Sequence, residues 1–428
     1  MSDALFARTW YDDNSKNQKY VEDPKLKLKL KCYDFLVIGG GLAGLVVSLR
    51  LAKGGATVAL LESNKIGSGA SGRNGGFCSK GWAASHTKIT DLLGADSANI
   101  LDGVASRGFD WMCDKVSQPN YTGVNAKFGE LNLSFDGSLK THEENTLNSS
   151  DLKKYINGPR YKSGKLIYHA FQFNPLSFLR ILSEECSNSG VHIFEDSRAK
   201  SIETANGKDI FHIQTLKKQN FMSKKVIYAT GGYGGALSPD LNKILLSIKT
   251  FIAVTDPIPG LLTKHLPTEF MISDSRRAGN YFRILKDGRL LWGMGISAFG
   301  DKSITKIKDD AFNNLAAHIP DLARDMKASN AKFEYAWSGN MAYGRDYLPF
   351  VGKVSNNKYG LTGFGGHGMN TAPGSAICLA DYLLGRKSEI EVFKKIKRKR
   401  TYGIIGKVAA EIIYKYLALR DVIAEYRG

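Results

Sequence analysis

Between Asp34 and Glu62 the apolar and polar positions fall into three clear blocks. Asp34-Phe-Leu-Val-Ile-Gly39 is a short unbroken apolar run closed by glycine, as expected of a strand buried on both faces of a parallel sheet. Leu45, Val46, Leu49 and Ala52 then recur at helical spacing, and Gly54-Gly55 stops the helix. Thr57-Val-Ala-Leu-Leu61 is a second buried strand, closed by Glu62. Just upstream, Pro24 to Lys31 alternates Lys with Leu, the period-two pattern of a half-wet strand, and its lysines suit a sheet edge.

Further along, Val191 to Glu195 and Lys225 to Ala229 read as short strands, the second running into Thr230-Gly231-Gly232. Phe282-Arg-Ile-Leu and Leu290-Leu-Trp-Gly-Met-Gly read as strands of a separate sheet. Gly360 to Gly368 is a glycine-rich loop feeding a helix through Ala376, Leu379, Ala380 and Leu383. Asn370 or Thr371 is its expected cap, with Pro373 in the first turn. The tail opens with the basic run Lys394 to Arg400. Beyond it Ile405, Val408, Ile412, Tyr416 and Leu419 share one helical stripe. A helix packed on the body, with a solvated basic turn, is the favoured reading. Docking on a membrane surface or a protein partner is the other.

The strand, helix and strand at 34–62 enclose Gly39-Gly-Gly41-Leu-Ala-Gly44, a GxGxxG string in the context it requires. Gly39 permits the tight turn, Gly41 lets the backbone approach a pyrophosphate, and Gly44 lets helix and strand pack closely. Open N–H groups at the helix start favour phosphate. Glu62 stands where a carboxylate bonds ribose hydroxyls, which points to FAD or NAD rather than a phosphorylated ribose. The following loop, Ser63 to Gly76, packs glycines and small polar residues around a single Arg73, a cation suited to a flavin carbonyl or a phosphate. The glycine loop at 363–368 offers a second positive helix end, suited to a flavin's electron-rich pyrimidine edge.

Composition narrows the class without deciding it. With 43% hydrophobic and 23% charged residues over 428 positions, the chain is an ordinary folded one, long enough for two joined domains. The net charge of +18 is spread through the sequence without a nucleic-acid-binding signature, so it reads as surface charge or substrate steering. Five scattered cysteines form no CxxC pair, which excludes a disulfide scaffold and an obvious zinc site; no metal is expected. No transmembrane run and no secretory signal are legible, and the expected location is cytoplasmic.

Three segments in order resemble the D-amino-acid oxidase superfamily of FAD-dependent amine oxidoreductases. They are Ile38 to Gly44, Gly69-Ala-Ser-Gly-Arg-Asn-Gly-Gly76, and Gly363-Phe-Gly-Gly-His-Gly368 preceded by Trp337-Ser-Gly339 and Asp346 to Gly352. Within it, the GASGRNGG string and the Trp/Tyr-bearing N-terminal extension are most similar to γ-glutamylputrescine oxidoreductase-like amine oxidases. The resemblance implies an α/β architecture. A Rossmann-type FAD-binding domain, a parallel sheet with helices on its faces, is expected from residues 33–90, 165–235 and 337–390. An inserted α+β substrate domain with a mostly antiparallel sheet is expected from 91–164 and 236–336. An N-terminal extension (1–32) and a C-terminal basic, amphipathic helix (391–428) complete the expected layout.

By the same resemblance FAD is held by Gly39, Gly41, Leu42, Ala43, Gly44, Glu62, Ser63, Ser71, Gly72, Arg73, Asn74, Gly75, Gly76, Gly231, Gly232, Gly365, Gly366, His367, Gly368 and Met369. Asn74 stands where some relatives tether the flavin through His, and Lys332 to Gly352 contains no Cys, so non-covalent FAD is expected. His367, Arg73 and Arg345 are the candidates for catalysis. Trp337, Tyr343, Arg345 and Phe364 are the candidates for an amine pocket, and Arg276 and Arg277 are further cations for a substrate carboxylate. The expected reaction is hydride transfer from an amine or amino acid to flavin N5, the imine being hydrolysed and the flavin reoxidised by oxygen or another acceptor. A γ-glutamylputrescine-like amine is the first choice of substrate and a D-amino acid or sarcosine the alternative. A flavin-bearing subunit without turnover, docked through Lys394 to Arg400, is the reading of another class. A nicotinamide dehydrogenase would leave the loops at 67–76 and 363–368 without a purpose.

Overall fold

The computed structural model describes residues 4–15, 32–135, 144–204, 209–276 and 279–427. The alternating segment 24–31 and Arg277 lie outside them. The first sheet grows from the strands read at 34–62. β1 (Cys32–Ile38) is flanked by β2 (Val58–Leu61), and β3 (Val191–Phe194) lies beyond β2. On the other side of β1 runs β4 (Asn220–Tyr228), longer than its apolar core suggests. All these pairings are parallel. Residues Lys358–Thr362 add a further parallel strand beside β4, and Phe350–Ser355 closes that edge antiparallel. Helix α1 (Leu42–Lys53) crosses from β1 to β2 with nine buried residues, which explains its nearly continuous apolar sequence.

The second sheet is mostly antiparallel. It is ordered from Phe333–Tyr343 through β5 (Leu246–Thr255), β6 (Leu290–Ser297), Tyr281–Ile284, Met271–Asp274, Lys127–Ser134 and Ser163–Gln172 to Phe77–Ser79. One internal pair, Met271–Asp274 with Lys127–Ser134, runs parallel. The strand Phe333–Tyr343 is named β7.

The domain boundaries move accordingly. Phe77–Ser79, Ser163–Gln172 and β7, expected in part or whole with the dinucleotide sheet, belong to the second. Conversely, helix α2 (Ala95–Val116), expected in the substrate domain, shares the core cluster of the dinucleotide sheet and its helices through Leu101, Val104, Phe109 and Met112. The reason is a close crossing with α3 (Gly368–Leu383): a Cβ on Gly108 would stand 1.9 Å from the Asn370 carbonyl oxygen, and one on Gly374 2.1 Å from that of Val104. Only paired glycines let two backbones approach so nearly. The cap of α3 also differs from expectation. His367 is its N-cap, and Asn370, Thr371 and Pro373 all lie inside the helix.

Of the N-terminal extension, the described residues 4–15 dock against the body. Trp10 and Tyr11, from the short helix Trp10–Asp13, pack in one buried cluster with Leu176, Ile252, Val254 and Trp337. The last helix, α4 (Ile404–Arg427), does lie on the body, through Glu411 and Glu425, but not by its apolar stripe. Ile405, Val408, Ile412, Tyr416 and Leu419 all face solvent rather than the body.

In the substrate-side core His318 is wholly buried against Phe135, Tyr161 and Trp292, its Nδ1 2.6 Å from the Asn314 carbonyl oxygen. Burial, aided by the guanidiniums of Arg276 and Arg160, lowers its pKa to about 3. The unfolded chain therefore binds a proton near pH 6.5 that the native protein refuses. The stability due to this group is complete above pH 6.5 and falls as pH drops toward 3. The loss reaches about 3 kcal/mol by pH 4, at 1.36 kcal/mol per pH unit. Urea unfolding at pH 7 and pH 4 is expected to show this loss, and His318→Leu to flatten it by that amount.

Candidate active site

The cradle begins where β1 ends. Gly39 holds φ at +116°, and a Cβ there would lie 2.4 Å from the Ala229 carbonyl oxygen. A Cβ on Gly44 would stand 1.9 Å from Gly39's own carbonyl oxygen, so the turn closes only with glycine at both places. Gly41 is the N-cap of α1 and provides no side-chain cap for the first turn's N–H groups. Leu42 is the exception, its N–H donating to Ser71 Oγ at 3.0 Å. Ala43 and Leu42 are buried behind the turn.

Glu62 sits at the tip of β2, almost fully buried. It accepts from Gly40 N at 2.7 Å through Oε2, and from Asn64 N at 2.9 Å and Ser63 Oγ at 3.0 Å through Oε1. A carboxylate has about four acceptor positions, so capacity remains for ribose hydroxyls. The loop after it is tied back to the turn by Gly67 N donating to the Gly40 carbonyl. Gly72 packs so closely on Gly67 that a Cβ would come within 2.2 Å of its oxygen.

Arg73 is buried, and the structure shows where its charge goes. Nε donates to Ser338 O at 3.1 Å, and Nη2 donates to Ala7 O at 2.9 Å and Ala4 O at 3.3 Å. Burial lowers its pKa from the ordinary value. Asn74 is fully engaged: Nδ2 donates to Ala70 O and Ser71 O, and Oδ1 accepts from Gly76 N at 2.7 Å. Met369 Sδ lies 3.8 Å from the same amide, joining this loop to the start of α3.

The remaining glycine loops reach the same place. Gly232 lies against Asn340 of β7, and Gly231's carbonyl accepts from Thr362 Oγ1 at 3.4 Å. Gly365 and Gly366 press on Tyr343, whose ring and hydroxyl would stand 3.2 and 3.0 Å from their added Cβ atoms. Phe364 bridges Tyr343 across the strand end. His367, cap of α3, is open to solvent yet hemmed in by protein on most sides. That crowding lowers its imidazole below the usual range, opposed by the Gly365 carbonyl. With Gly368 and Met369 it forms a helix start without a side-chain cap.

Two expected pocket residues lie elsewhere. Trp337 is wholly buried, edge-on to Tyr11 at 5.7 Å, and its Nε1 donates to the Arg73 carbonyl at 2.8 Å. It supports the cationic loop from behind. Arg345 lies in the turn at Gly344–Tyr347 and faces solvent, in a groove shared with Lys397, Arg398 and Lys399. Arg276 is likewise committed, paired with Asp274 at 2.9 Å and stacked over Phe135.

Sequence reading missed Arg283, Tyr281 and Tyr233. Arg283 is buried and donates to Gly75 O at 2.7 Å, Phe173 O at 2.8 Å, Tyr11 Oη at 3.2 Å and Gln172 Oε1 at 3.3 Å. A lone Arg inside an apolar strand was the available signal. The Tyr281 ring lies across Gly75 and Gly293, and burial raises its hydroxyl to about 12. Tyr233 receives Asn340 N at 3.0 Å and packs on Gly69. Both buried guanidiniums hydrogen-bond only neutral oxygens.

A dinucleotide cradle joined through a cationic glycine loop to a mostly antiparallel sheet defines a flavin-dependent oxidoreductase. The profile of the family described as FAD dependent oxidoreductase (DAO) matches residues 34–382, and the chain belongs to that family. OrdL of Haemophilus influenzae, a probable oxidoreductase, is 26% identical over 436 residues and 97% of each chain. The γ-glutamylputrescine oxidoreductase of Escherichia coli is 25% identical over 393 residues, 88% of this chain and 89% of its own. Among solved structures, L-proline dehydrogenase from P. horikoshii shares the fold at TM-score 0.66 and 19% identity, covering 85% of this chain and 96% of that one. Glycine oxidase from Geobacillus kaustophilus does so at TM-score 0.64 and 16% identity, covering 86% and 98%. The protein is an FAD-dependent oxidoreductase. The glycine turn too tight for a Cβ, the uncapped start of α1 and the buried Glu62 fit that cofactor.

Proposed function

We propose that the protein oxidises the C–N bond of an amine bearing a carboxylate, of the γ-glutamylputrescine kind, in a pocket between the glycine loops and β7. The observation that carries this reading is the pair of buried guanidiniums, Arg73 and Arg283, answered only by neutral oxygens. When bound, FAD supplies the hydride acceptor. A cationic, partly dry junction disfavours an ammonium ion, so the substrate amine is held in the neutral form that can release hydride. The same charge attracts a carboxylate. The bonds of Arg73 use Nε and Nη2, which leaves Nη1 for the flavin or the substrate. Tyr281, Tyr343 and Phe364 wall the amine chain, and the raised tyrosine pKa values keep both hydroxyls neutral. His367, held neutral at pH 7, would offer no charge to the amine. The uncapped start of α3, with its positive helix end, would suit the electron-rich pyrimidine edge of a bound flavin.

FAD is bound without a covalent link: Asn74 occupies the loop position and is fully hydrogen-bonded. Acid precipitation is therefore expected to release all of the flavin into the supernatant. The test of the substrate is an anaerobic visible spectrum of the holoenzyme mixed in turn with γ-glutamylputrescine, putrescine, sarcosine and D-alanine. Bleaching fastest with γ-glutamylputrescine is expected. Bleaching by putrescine at an equal rate would remove the carboxylate from the reading, and a yellow protein that none of the four bleaches would end it.

A further inference from the structure

We propose that α4 and the basic run before it form a docking surface that lies in the interface of an anionic lipid membrane. The helix is built inside out for a soluble protein. Ile404 and Ile405 are each 74% exposed, Ile412 and Tyr416 62% and Leu419 60%, with Val408, Ile413, Val422 and Ile423 exposed beside them. A run of nine exposed large apolar residues on one helix is the kind of surface that marks an interaction site rather than scattered surface apolars. No described helix is long and apolar enough to cross a membrane.

The orientation is held by polar anchors on the opposite face. Glu411 Oε2 accepts from Ala298 N at 2.8 Å and Ser297 Oγ at 3.1 Å. Glu425, only 9% exposed, pairs with Arg160 and approaches Arg276 at 4.0 Å. Thr401, just before the helix, is tied to the Lys243 carbonyl through its N–H at 2.9 Å. A helix that spends its acids on the body and shows its isoleucines to solvent cannot roll them inward without breaking these ties.

Charge selects the occupant. Both anchored carboxylates of α4 face the body, whereas Lys415 and Arg420 are exposed and fall on the two edges of the apolar stripe. Lys397, Arg400, Lys407, Lys415 and Arg420 make no ion pair among the described residues. Apolar residues flanked by basic ones whose stems extend to a headgroup layer are the pattern of an interfacial helix. A second copy of this chain would bring the same positive rim against its own, which disfavours it as the covering partner. Anionic lipid supplies both the apolar bed and the counter-charge.

The test is co-sedimentation of the full holoenzyme with vesicles of phosphatidylcholine alone and of phosphatidylcholine mixed with phosphatidylglycerol. At least about tenfold stronger partition onto the anionic vesicles is expected, weakened by raised salt. Ile412→Asp with Leu419→Asp is expected to abolish it, and Lys415→Glu with Arg420→Glu to remove the preference for anionic lipid. All four sites are exposed, and an unchanged flavin spectrum reports an intact fold. Absence of sedimentation, equal partition onto both vesicle types, or binding that survives the paired substitutions would overturn the proposal. So would a dimer in solution that Ile412→Asp converts to monomer, which would assign the face to a second copy.

Discussion

A Gly39→Ala protein is expected to emerge from purification without bound flavin, its affinity for FAD lowered roughly 100-fold, the equivalent of about 3 kcal/mol of forced repacking. Two costs coincide at this position. The residue must hold φ at +116°, and its new Cβ would stand 2.4 Å from the oxygen and 2.9 Å from the carbon of the Ala229 carbonyl. Both neighbours are backbone of the adjacent parallel strand, so neither can swing aside as a side chain would. The turn must open, and the N–H groups at the start of α1 then no longer converge. Gly55→Ala is the control, because Gly55 also has positive φ (+90°) but nothing within 4 Å of an added Cβ. It is expected to keep its flavin and lose only about 1 kcal/mol of stability. Absorbance of bound flavin per chain and titration with added FAD measure both. Full flavin content in Gly39→Ala would show that the close approach is not needed for binding.

The second large effect belongs to Arg73. Arg73→Met keeps the length of the side chain but leaves the carbonyls of Ser338, Ala7 and Ala4 without their donor in a buried setting. Charge-assisted bonds of this kind, once broken on one side, cost about 3–5 kcal/mol together, and the N-terminal segment is expected to loosen with them. Denaturation in urea and protease sensitivity near residue 8 read this loss. A chemical consequence is separable from it. With the cation gone the bound amine is more readily protonated, so the pH limb for anaerobic flavin reduction is expected to move to higher pH. The rate at pH 7 should fall roughly tenfold to a hundredfold. Arg73→Lys restores the charge without the fork that reaches three carbonyls, so it should recover the pH limb more fully than the stability. A pH profile that stays put in Arg73→Met would confine Arg73 to a structural role.

Much of the cradle was legible because its chemistry is local. The strand, turn, helix and strand from Cys32 to Leu61 follow from apolar runs, glycine spacing and a terminal acid, all within reach of a few residues. The cationic loop and the glycine turn before α3 were visible for the same reason. Arg283 was not, because its partners, Gly75, Gln172, Phe173 and Tyr11, lie more than a hundred residues away along the chain. Trp337 and Arg345 failed in the converse way. Strand alternation and a turn at Gly344 decide which is buried and which faces solvent, and neither is set by residue type.

For this protein the amino-acid order alone determined the dinucleotide unit, the family it resembles and the presence of an amphipathic terminal helix, since each rests on short-range periodicity and backbone freedom. The tertiary structure decided which strands join which sheet, that α2 belongs with α3 through the Gly108 and Gly374 contact, and that α4 turns its apolar stripe outward. Those outcomes depend on contacts between distant segments: paired backbones, committed carboxylates and the direction each face must take once its polar groups are satisfied.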